Sequence, residues 1–194
     1  MQISFCFRVE DLKYNQYNFV FRILQTHNIV EMTGNSTLND VGLFIASLLD
    51  FNDLNLNAEF VDSLFITDEL ALEGGLLFKS NNICISASCC SDFQDWINVV
   101  NNIKEKKSPW MGHDPSPWFE FDNRNITLWS DEIDRQEIND LDRLQFTQKE
   151  FTSQLLEAKE ELNKFLQIVK QWSDINYPTD AERLTLGIKN YLLI

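Results

Sequence analysis

The stretch Gly75-Leu-Leu-Phe-Lys-Ser80-Asn81-Asn82-Ile83-Cys-Ile-Ser-Ala87 decides the fold class. Two short apolar runs flank a pair of asparagines, and asparagine tolerates a positive φ better than most residues. A two-residue β-hairpin is therefore expected. Ser91-Asp92-Phe93-Gln94 follows almost at once and reads as a capping box with Ser91 as the cap. Behind it Phe93, Trp96, Ile97, Val100 and Ile103 recur at helical spacing, and Lys104, Lys106 and Lys107 sit where cations suit a helix C-terminus. A hairpin running straight into a helix is the repeating theme of the chain.

Downstream, Trp118–Asp122 and Ile126–Ser130 read as a second hairpin around Asn123-Arg124-Asn125, and Arg143–Phe146 as a short strand. Thr147-Gln148-Lys149-Glu150 is another capping box. It opens the longest helix, with Phe151, Leu155, Leu162, Phe165, Val169 and Trp172 on one stripe. A break at Asn176-Tyr177-Pro178 precedes a last helix, expected to be capped by Thr179 with Glu182. Upstream, residues 2–9 alternate apolar with polar, and Tyr17–Leu24 alternates likewise, so the two read as partner strands joined by a turn through Glu10–Gln16. Ser36 or Thr37 caps a helix carrying Leu38, Val41, Phe44, Ile45, Leu48 and Leu49, while residues 54–66 fit neither pattern cleanly. The expected architecture is α+β: an antiparallel sheet built from hairpins, covered by about four helices including one long late helix.

Composition agrees with one acidic domain over residues 1–194. Of 194 residues, 44% are hydrophobic and 15 are phenylalanine, which is enough for a sizeable core and excludes the disorder-prone class. The longest nearly apolar stretch, Gly42–Leu49, is far short of the roughly 20 residues a membrane span needs. The opening ten residues lack the basic n-region of a signal peptide, so a cytoplasmic location is expected. Cys6, Cys84, Cys89 and Cys90 lie in or beside apolar runs and read as small buried hydrophobes, the alternative being a metal or redox site. Adjacent cysteines lack zinc-knuckle spacing, and only His27 and His113 could add imidazoles, so no metal and no cofactor is expected.

The net charge of −14 comes from 30 acids against 16 bases. Asp50–Asp95 holds nine acids and one base, Lys79; Asp114–Asp142 holds nine acids against Arg124 and Arg135. Nucleic acid and anionic membranes bind through accumulated Lys and Arg, so neither is an expected partner. A cationic protein is.

One window stands apart: Ser108-Pro-Trp-Met-Gly-His-Asp-Pro-Ser-Pro-Trp118, with three of the four prolines and one of the two histidines. Proline restricts itself and the residue before it, so the loop is stiff at Asp114 and Ser116. Two readings compete here. In one the loop is a binding surface formed by Trp110, His113, Asp114, Trp118 and, across the next hairpin, Trp129. In the other His113 is a general acid or base oriented by Asp114 or Glu120 in a pocket walled by the tryptophans. The chain carries no GxSxG elbow, GxGxxG or Walker pattern, so binding is expected ahead of catalysis.

Trp110, Gly112, His113, Asp114, Pro115, Pro117 and Trp118 spell W-x-G-H-D-P-x-P-W, and Phe146-Thr147 with Phe151 opens the long helix. In this the second half of the chain resembles an uncharacterised family of small bacterial proteins. In size and charge the chain also resembles immunity proteins of bacterial toxin systems. That likeness implies an acidic inhibitor covering a cationic toxin, without transferring any site residue. A third possibility is a structural subunit whose Phe151–Trp172 stripe pairs with another chain.

Overall fold

The computed structural model describes residues 1–9, 29–66, 70–131 and 141–194. The chain is α+β, as expected. Its elements in order are β1 (Gln2–Arg8), β2 (Ile29–Met32), α1 (Leu38–Phe51), α2 (Ala58–Ser63), β3 (Gly74–Ser80), β4 (Ile83–Ser86), a one-turn 3-10 helix (Phe93–Asp95), α3 (Trp96–Lys104), β5 (Trp118–Phe121), β6 (Ile126–Trp129), β7 (Arg143–Phe146), α4 (Gln148–Asn176) and α5 (Ala181–Tyr191). The strands form a four-stranded sheet in the order β2-β1-β3-β4 and a three-stranded sheet in the order β5-β6-β7. Among the described residues no helix is long and apolar enough to cross a membrane. The contacts divide the chain into two compact units, one of Met1–Phe5 with Glu73–Lys159 and one of Cys6–Leu72 with Glu160–Ile194.

In the first unit β3 and β4 pair antiparallel, with Ser80 opposite Ile83, so Asn81-Asn82 forms the two-residue turn. Asn81 takes φ 52°, the conformation that asparagine reaches more cheaply than most side chains. In the second sheet Phe119, Leu128 and Leu144 lie opposite one another, as do Phe121, Ile126 and Phe146. Alternation along each strand gathers these six on one face. Phe119 and Phe146 on that face meet Phe78 of β3 at ring separations of 5.8 and 6.2 Å, and Phe146 stacks on Phe151 at the start of α4. The opposite face carries Trp118, Glu120, Trp129 and Arg143, which belong to the candidate site.

Each helix start shows which residue won the competition for the orphan N–H groups. Thr147 caps α4 in the expected box, its hydroxyl accepting from the Glu150 N–H while Glu150 accepts from the Thr147 N–H. At the 3-10 helix leading into α3 the cap is Asp92 with Asp95, one residue later than the expected Ser91 box. Ser91 is instead tied into a turn, its N–H donating to the Ser88 carbonyl. Asp180 stands at the cap of α5, not Thr179, and makes no side-chain cap bond.

In the second unit α1 is capped by Thr37 and Asp40 and is buried over Val41–Leu49 on all sides, more than the stripe its periodicity suggested. Phe44 meets Phe7 at 5.5 Å and Phe165 of α4 at 5.9 Å. The ambiguous residues 54–66 contain a fifth helix, α2, capped by Asn57. Asn52 closes the segment beyond α1: its amide donates to the carbonyls of Leu48 and Ala71 and accepts from the Ala71 N–H. Phe151, Leu155, Leu162, Phe165, Val169 and Trp172 are all buried, so the long-helix stripe packs within its own chain and is not a free face for another. The expected strand at Tyr17–Leu24, its turn, His27 and most of the acidic run 131–142 lie outside the described residues.

Candidate functional site

All four cysteines are free, but only Cys6 is buried; Cys89 is half-buried, and Cys84 and Cys90 are exposed. The expectation of four buried structural thiols is corrected at three positions. Cys89 and Cys90 occupy the middle of the turn Ser88–Ser91, closed by the Ser91 N–H to the Ser88 carbonyl at 3.3 Å. Cys90 has φ 67°, the positive value that some tight turns demand at their third residue. Its own N–H donates to Glu73 Oε1 at 3.3 Å. A β-bridge between Glu73 and Asp92 and a bond from the Gly74 N–H to the Ser91 carbonyl hold the turn to the base of β3.

The Trp/Pro window docks on this turn. The Met111 carbonyl accepts from the Ser88 N–H at 2.8 Å, and both residues are buried. Gly112 follows with φ 107°, and a Cβ there would stand 2.1 Å from Ser88 Oγ and 2.7 Å from the Cys89 carbonyl oxygen. Only glycine allows the two backbones to approach this closely. The next residue, His113, is thereby laid against the two cysteines. Cys89 Sγ, Cys90 Sγ and an imidazole nitrogen of His113 all lie within 4.8 Å of one another.

The rest of the window is pinned at its far end. The Ser116 N–H donates to Asp131 Oδ1 at 2.7 Å, the Phe119 N–H donates to Ser108 Oγ at 2.9 Å, and Pro109 and Pro117 are buried. Between these ties His113 and Asp114 are exposed, and Trp110 is 50% exposed with its ring edge-on to the His113 ring at 5.5 Å.

The Trp110 ring meets His113, and the Trp118 ring meets Trp129. Trp118 lies opposite Trp129 in the β5–β6 register and stacks on it at 6.0 Å. Trp129 is buried, with the Arg143 guanidinium over its ring at 5.3 Å and its indole N–H donating to Glu120 at 3.4 Å. Glu120 is thus committed to Trp129. His113 has two thiols and an indole as neighbours. Cys90 is held above the ordinary thiol range, first by its hydrogen bond and charge interaction with Cys89, then by some desolvation and by the carboxylates of Glu73 and Asp114.

Sequence reasoning named His113 and missed its partners, because Cys89 and Cys90 lie more than twenty positions away. No known protein family, curated protein or solved structure matches the chain.

Proposed function

We propose that this chain is an acidic protein-binding module that takes a cationic protein partner, in the manner of an immunity-type inhibitor of a cationic toxin. The observation that carries the reading is Trp110. A large aromatic side chain, half exposed, stands on a loop tied down on both sides, and the carboxylates of Asp114, Glu120 and Asp122 are exposed around it in sequence. A pinned tryptophan gives up little conformational entropy on binding, and such residues dominate interface energetics. Carboxylates around it supply steering toward a basic surface, which the net charge of −14 reinforces. The acid-base alternative at His113 has less support, since Glu120 is bonded to Trp129 and both His113 and Asp114 face solvent.

The test is affinity capture from the source organism, followed by calorimetry of the purified pair. The expected partner is basic, its affinity falls steeply with added salt, and Trp110→Ala weakens it by about 2 kcal/mol or more, as expected of an interface hot spot. A partner that is acidic, or that binds Trp110→Ala and the parent chain equally at low and high salt, refutes the reading.

A further inference from the structure

We propose that Cys89, Cys90 and His113 form a binding site for one Zn2+ ion, with two thiolates and one imidazole as ligands and a coordination position left open to solvent. Zn–S and Zn–N bonds of about 2.3 and 2.0 Å place neighbouring ligand atoms about 3.5–3.8 Å apart in a tetrahedron. The three ligand atoms lie within 4.8 Å of one another. Cys90 and His113 are exposed, so their side chains are free to rotate toward a common ion.

The backbone builds this proximity by dedicated means. The Ser88–Ser91 turn fixes the backbone at both cysteines, a positive φ at Cys90 is retained at a non-glycine residue, and Gly112 lets the histidine-bearing loop reach the turn. Nothing in core packing requires His113 to face two thiols, because all three side chains stand at or near the surface. The ligand set also selects the ion. Two thiolates and an imidazole suit soft and borderline metals, whereas Mg2+ and Ca2+ require oxygen donors. Two thiolates neutralise a divalent ion, and the Glu73 and Asp114 carboxylates add a field that favours any cation over a neutral ligand. Accessibility of Cys90 and His113 gives the ion a route in, and three protein ligands leave a fourth position available.

The experiment titrates Co2+ alone, and then Zn2+, into the reduced full-length chain under anaerobic conditions. The expected result is sulfur-to-cobalt charge-transfer absorption that saturates at one equivalent and is bleached by one equivalent of Zn2+. Cys89→Ser and Cys90→Ser each weaken binding by at least about 100-fold, more than loss of an outer-shell partner does. His113→Ala weakens it while keeping the charge-transfer band, and Cys84→Ser, at the exposed thiol on β4, leaves it unchanged. Urea midpoints of the variants confirm that each is folded. Cobalt binding without a charge-transfer band, titrations unaltered by Cys89→Ser and Cys90→Ser, or no uptake of either ion while both thiols remain reduced would each overturn the site. So would a band lost in Cys84→Ser. None of these readouts involves a protein partner, so they stand or fall separately from the binding-module reading.

Discussion

Replacing Gly112 by alanine tests the contact on which the candidate site depends. The glycine sits at φ 107°, where an L side chain is strained by about 1–3 kcal/mol. The added Cβ would also lie 2.1 Å from Ser88 Oγ, 2.7 Å from the Cys89 carbonyl oxygen and 2.9 Å from the Ser88 carbonyl carbon, and two of these three atoms are backbone. The loop therefore has to lift off the turn, which breaks the 2.8 Å bond from the Ser88 N–H to the Met111 carbonyl and leaves two buried groups unpaired, at about 1–3 kcal/mol. The expected total is about 2–6 kcal/mol. With a urea m-value of about 2 kcal/mol/M, that is a fall in midpoint of about 1–3 M. Urea denaturation followed by tryptophan fluorescence measures it. A double-mutant cycle with Ser88→Gly, which removes the nearest clashing atom, should return about 1 kcal/mol as coupling, because the φ strain and the Cys89 contact remain. A loss below about 1 kcal/mol for Gly112→Ala alone, or full recovery in the double mutant, refutes this account of the docking.

Two further outcomes follow from other parts of the chain. Asn52→Ala removes a side chain that makes three bonds, to the Leu48 carbonyl and to both backbone groups of Ala71, so urea denaturation should show about 2–3 kcal/mol less stability, and a loss under about 1 kcal/mol would show that these bonds do not hold the segment. The Asp122 carboxyl is held below its ordinary range by the N–H groups of Arg124 and Asn125 across the β5–β6 turn. A lowered folded-state pKa means its contribution is complete above the ordinary carboxylate range and is lost as the pH falls through the folded value. Acid titration of the chain should therefore show a decline beginning near pH 4 that is shallower in Asp122→Asn, and identical acid limbs for the two proteins would remove Asp122 from the account.

The fold was legible where the pattern is local and repeated. The Asn81-Asn82 hairpin, the Thr147–Glu150 box and the Phe151–Trp172 stripe each announce themselves within a few residues, and the structure has all three. The cap at Asp92 was missed by one position because Ser91 and Asp92 are both good caps, and the choice was made by a contact far away in sequence, the bond from the Gly74 N–H to the Ser91 carbonyl. The helix at Ala58–Ser63 is too short to show a period, so the Asn57 cap was its one strong local signal.

The candidate site follows the opposite logic. Its chemistry is spread over two segments that no periodicity connects, and the residue that joins them, Gly112, contributes no side chain at all. A glycine between Met111 and His113 in a proline-rich loop was the available sign that another backbone comes close, since elsewhere in that loop stiffness was being selected and glycine opposes it. The cysteines were misread for a related reason. An apolar flank argues for burial only if the thiol lies on the inward side of a strand or helix, and Cys89 and Cys90 lie on neither. In a turn the flanking residues say nothing about which way a side chain points, so exposure at Cys90 is decided by the positive φ that the turn imposes. The same turn that hides Ser88 and Ser91 in the core therefore delivers the two sulfurs outward, to where His113 stands.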